Sequence, residues 1–208
     1  MRAFRWQDDA LVAEVAPGER DVLATVVADV AELLGAGRLE VHDPREGGEV
    51  GLRMRLEAVP APDDPAVHRL LPDASRDDPE VAAEFRRLTE DDLRQDKIAR
   101  LAELFALLAP DDGEDGGEPD RGHRVRVPRA DGPRLAATIT DLRLVLGERL
   151  GVQDEQAGDL LDDELSGPDP ASDDRAAQIR HYLGSVYVAL GWWQETLMSC
   201  LLADLDRS

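Results

Sequence analysis

The 208-residue chain carries 45 acidic against 24 basic side chains, a formal charge of −21, and a single lysine, Lys97. Such a polyanion repels nucleic-acid phosphates and anionic lipid within a Debye length of about 8 Å, which argues against direct DNA or RNA binding and against membrane adsorption. A basic protein partner would be attracted instead.

Aromatic residues make up only 4 % of the chain, so the core is expected to be Leu, Val and Ala built by helices. The lone lysine, the absence of asparagine and the scarcity of isoleucine fit a GC-rich genome or a halophile equally well. No run approaches the roughly 20 apolar residues that span a bilayer. The opening MRAFRWQDD lacks the apolar stretch of a secretory signal. One cysteine allows no internal disulfide, which fits a reducing cytoplasm.

Ala3–Trp6 and Leu11–Val15 alternate around Gln7-Asp8-Asp9, predicting a β-hairpin. Pro17 opens a helix to about Leu34, with Val22, Val26, Val30 and Leu33 on its apolar face and Gly35 and Gly37 at its end. Val50–Leu56 alternates as a strand would, inside a Gly/Pro-rich stretch (43–63) read as a mobile acidic loop. A short helix follows over Pro65–Leu71. Asp77–Leu108 reads as two helices, the first capped by Asp78 ahead of Pro79. The second opens at Thr89 and Asp92, close to a capping box. Leu93, Lys97, Ile98, Leu101, Leu104, Phe105 and Leu108 mark its apolar stripe. The whole stretch reads as scaffold.

Residues 110–122 contain no apolar side chain and are expected to be a loop. His123–Val127 is expected to pair with the hairpin. Leu135, Ile139, Leu142, Leu146 and Leu150 place a helix over Gly132–Leu150. Residues 151–172 read as another acidic loop. The last helical region, Asp174–Asp204, puts Leu183, Val186, Leu190, Trp193, Leu197 and Leu201 on one face, with Gly191 as a kink or break. Together these elements predict one mainly α (α+β) domain over residues 1–208. It is a bundle of five or six helices with a small antiparallel sheet near the N-terminus.

The chemistry-bearing residues are few. Cys200 is either a small buried hydrophobe or a redox handle; Glu195, Asp204 and the helix C-terminus disfavour its thiolate. His42, His68, His123 and His181 show no metal-ligand spacing, and no nucleotide-binding or serine-hydrolase motif is present. No catalytic residue, metal or cofactor is therefore expected. Trp192 points away from Trp193 and is a candidate partner anchor. Arg69 and Arg143 either tie helices together through carboxylate forks or line a groove for an acidic partner segment.

Five segments carry a resemblance: FRW (Phe4–Trp6), DPAVHRLLPD (Asp64–Asp73), Asp77–Leu108, DLRLVLG (Asp141–Gly147) and VYVALGWWQETLMSCLL (Val186–Leu202). They resemble the actinobacterial oxidative stress regulator family, first catalogued as a domain of unknown function. That resemblance implies a non-enzymatic cytoplasmic regulator of stress-responsive gene expression that binds a protein partner, a sigma factor among the candidates. An intramolecular disulfide switch needs two cysteines within about 7 Å at Cα. Here oxidation would have to act through Cys200 alone, through an intermolecular bond, or through Met54 or Met198. The alternatives are an adaptor in regulated proteolysis and a metal-dependent enzyme assembled from scattered Asp, Glu and His. A homodimer through the last helix is a further possibility.

Overall fold

The computed structural model describes residues 1–37, 39, 62–75, 77–109, 122–171 and 173–205. The strand expected over Val50–Leu56, and nearly all of the loops expected at 43–63 and 110–122, lie outside them.

The hairpin forms as β1 (Arg5–Gln7) and β2 (Ala10–Val15). Asp8 turns the chain in the left-handed region, φ 55°, which a short polar side chain tolerates. The third strand, β3 (His123–Pro128), pairs antiparallel with β2, setting Leu11 opposite Val127 and Ala13 opposite Val125. In β3, Val125 and Val127 are buried while Arg124 and Arg126 face out, the two-residue period of a half-covered strand.

Six α-helices occur among the described residues. The first, α1 (Pro17–Leu33), buries Leu23, Val26, Val27, Val30 and Ala31, and the chain leaves it through Gly35 at φ 87°. Asp64 caps α2 (Pro65–Leu70) by accepting from the Ala66 amide at 2.8 Å. The next helix, α3 (Pro79–Leu107), is continuous rather than two. Residues 80–107 contain neither Gly nor Pro, so nothing breaks it. The Thr89 hydroxyl, expected as a cap, bonds back to the Phe85 carbonyl at 3.0 Å.

Helix α4 (Gly132–Leu150) ends at Gly151 in the left-handed conformation of a helix C-cap. Residues 151–172, expected as a loop, contain α5 (Glu155–Leu165). Asp154 caps it, and Leu161 packs fully buried over Gly184, where a Cβ would stand 3.0 Å from Leu161 Cδ1. The last helix, α6 (Arg175–Leu205), runs unbroken through Gly191. Six helices thus arise from one merger and one gain relative to the sequence pattern.

Helix α4 occupies the centre, touching α1, α2, α3 and α6. The sheet is fastened to α6 by the N-terminal aromatics. Phe4 stacks on Trp193 with ring centroids 4.7 Å apart, and the Trp6 indole donates to the Cys200 carbonyl at 3.2 Å. No helix among the described residues is long and apolar enough to cross a membrane.

Candidate functional site

The arginines singled out from sequence, Arg69 on α2 and Arg143 on α4, meet in one cleft of about 280 Å3 closed on its far side by α6. Arg143 packs against Gly191 of α6. Its guanidinium lies flat on α6 at the point where a Cβ on Gly191 would stand 3.4 Å from Nη2 and 3.5 Å from Cζ. On the same helix, the Tyr187 ring holds the cation 5.1 Å from its centroid. The glycine expected as a kink or break thus lies within a continuous helix, with the Arg143 side chain packed on it.

A short relay fixes the polar edge of the cleft. Arg143 Nη1 donates to Gln194 Oε1 at 2.8 Å, and Gln194 Nε2 donates to Thr140 Oγ1 at 2.6 Å. The Thr140 hydroxyl in turn donates to the Ala136 carbonyl. That arrangement turns the amide oxygen of Gln194 towards Arg143. Arg143 Nε is buried with no acceptor, and no carboxylate pairs with this guanidinium among the described residues. Arg69 differs: it pairs with Glu148 at 2.8 Å and stays half-exposed.

Trp192 lies outside the cleft, 43 % exposed, while its neighbour Trp193 is fully buried. Cys200 is half-buried, its thiol donating to the Phe4 carbonyl at 3.3 Å. Among the described residues no group of three or more His, Cys, Asp and Glu side chains is placed to hold a metal ion.

A second surface falls in the stretch whose sequence pattern reads only as scaffold. The N-terminal half of α3 buries just Ala82 and Glu90, leaving Val81, Phe85 and Leu88 at 52, 51 and 60 % exposure. Their i, i+4, i+7 spacing puts them on one stripe. Beside the stripe, Phe85 and Leu93 border a shallow groove with Leu71 and Pro72. The signal was in the sequence, since those three apolar residues keep helical phase with one another. The rim is pinned electrostatically. Hydrogen bonding from Arg86, and then from His68, holds the Asp73 carboxyl below the usual carboxylate range.

Among the described residues, the geometry defines a mainly helical protein with a three-stranded antiparallel sheet, a cationic cleft and an exposed apolar helix face. The chain belongs to the family described as Domain of unknown function (DUF2017), whose match covers residues 1–201. No curated protein and no solved structure matches it.

Proposed function

We propose that the chain is a non-enzymatic regulatory protein that acts by binding another protein through the outer face of α3. The observation carrying this reading is the stripe of Val81, Phe85 and Leu88, each more than half exposed on one helix face. A single exposed apolar residue is ordinary; three aligned beside an apolar groove form a patch of the kind that partners cover. Glu80, Asp91 and Asp92 sit on the same half-helix, where Glu84 is already paired with Arg87. The fitting partner segment is therefore apolar with Lys or Arg at its flanks. The charge of −21 steers such a segment in and repels acidic competitors.

The resemblance to the actinobacterial oxidative stress regulator family supplies the expected context, a transcription component such as a sigma factor under stress. Trp192 is a second candidate anchor, and Cys200 the candidate redox handle. The test is affinity capture from native lysate with the intact chain, a Leu88→Asp variant and a charge-matched unrelated control. A protein enriched by the intact chain and lost with Leu88→Asp, at unchanged thermal stability, supports the reading. Equal recovery with both forms, or nothing above the control, defeats it.

A further inference from the structure

We propose that the cleft between α2, α4 and α6 is a binding site for a small organic monocarboxylic acid, whose carboxylate is held by Arg143. This site is separate from the α3 face and does not depend on the partner reading.

A guanidinium carries five N–H donors, and Arg143 uses one of them, on Gln194. Elsewhere the chain matches such arginines with acids. Arg100 has Asp96 and Asp141, Arg134 has Asp96 and Glu103, and Arg86 has Asp73. In a polyanion with acids to spare, Arg143 turns its cation into a cavity instead. With Nε buried, an incoming carboxylate meets the Nη edge.

The cleft also chooses among anions. Its lining holds two cations, Arg69 and Arg143, and one carboxylate, Glu148, so a single negative charge balances it and a phosphate dianion overfills it. Leu144 and Val152 offer apolar wall to the body of the acid. A volume of about 280 Å3 lies at the small end of ligand pockets, roughly 300–1,000 Å3, and suits a metabolite better than a length of polypeptide. Gly191, Tyr187 and Gln194 already hold the guanidinium in place, so little ordering remains to be done on binding.

The test is NMR titration of the full chain at fixed ionic strength with sodium benzoate, benzamide and inorganic phosphate, each to about 10 mM. The site predicts saturable shifts of the Gln194 side-chain amide and the Tyr187 ring with benzoate. Benzamide should give none, and phosphate should bind more weakly than benzoate. Arg143→Gln should weaken benzoate roughly tenfold or more, as loss of a charged hydrogen-bond donor does. The proposal is overturned by three results in the unaltered chain, whether or not the variant folds. These are no saturation with benzoate, an equal response to benzamide, or tighter binding of phosphate than of benzoate.

Discussion

Lys97 donates from Nζ to Asp141 Oδ1 across 2.7 Å, so the chain's single lysine ties α3 to α4 inside the protein. Arg100 approaches the other oxygen of the same carboxylate at 3.1 Å, and all three residues are buried. Removing one member of a buried ion group leaves uncompensated charge, which costs far more than the intact pair contributes. Asp141→Ala strands the buried Lys97 cation and leaves Arg100 with Asp96 alone, and is expected to destabilise by about 3–5 kcal/mol. Lys97→Met leaves Asp141 with Arg100 and should cost clearly less. Urea denaturation at neutral pH measures both; equal losses would show that the carboxylate is not the hub.

Acid should act on the rim of the α3 groove. Arg86 and then His68 depress the Asp73 carboxyl in the folded state. A depressed carboxyl stabilises fully above its unfolded value of about 3.9, and that contribution is lost as pH falls through the folded value. Between pH 5 and pH 3 the parent protein should therefore lose more stability than Asp73→Asn, which lacks this titration. Comparing the two absorbs the general effect of neutralising a chain of charge −21. Parallel pH profiles would show that the Arg86 contact does not couple to folding.

Helix α5 docks on α6 around Gly184, with Arg180 of α6 also donating to Glu164. Leu161 is its sole buried residue and rests against Gly184 of α6. Gly184→Leu places bulk where Leu161 Cδ1 would be 3.0 Å and Leu165 Cδ2 3.2 Å from the new Cβ. Amide exchange over residues 155–165 should then rise to that of a loop, while β2 and α4 keep their protection. Unchanged protection in α5 would mean that the helix is held otherwise.

The junction of sheet and α6 rests on Phe4. Its ring is 5 % exposed and stacked on Trp193. Phe4→Ala should cost about 3–5 kcal/mol, the range for a buried aromatic, with Phe4→Leu less damaging. Thermal denaturation checks the order of the two. A loss below 1 kcal/mol for the alanine form would show that the strand only leans on the helix.

The fold was legible where local punctuation and periodicity agree. Pro17 with Gly35, and Gly132 with Gly151, bracket α1 and α4, and the alternation of HRVRV placed β3 against β2. It was misread where a local option lost to its surroundings. Thr89 and Asp92 resemble a helix start, but without Gly or Pro the chain carries α3 straight through. Helix α5 looked like loop because only Leu160, Leu161 and Leu165 are large and apolar there, and its dock, Gly184, is distant in sequence.

The site shows the same division. Arg69 and Arg143 stood out as residue types, and they meet in one cleft. Arg143 lies there against Gly191 of α6, a tertiary contact at a residue that a one-dimensional pattern reads as a kink. Lys97 in the predicted apolar stripe was a clue of the opposite kind. A charge on the buried face needed a partner, and Asp141 in DLRLVLG supplies it.

Whether the outer face of α3 is a docking surface can be asked most directly by photo-cross-linking in native cells. Amine-reactive reagents are unsuited, because the only lysine is buried. A photo-reactive amino acid replaces Leu88 in one strain and the exposed Arg126 of β3 in another. Illumination should give one discrete protein adduct from position 88 and none from position 126. No adduct at 88, or the same adducts from both positions, would contradict the account.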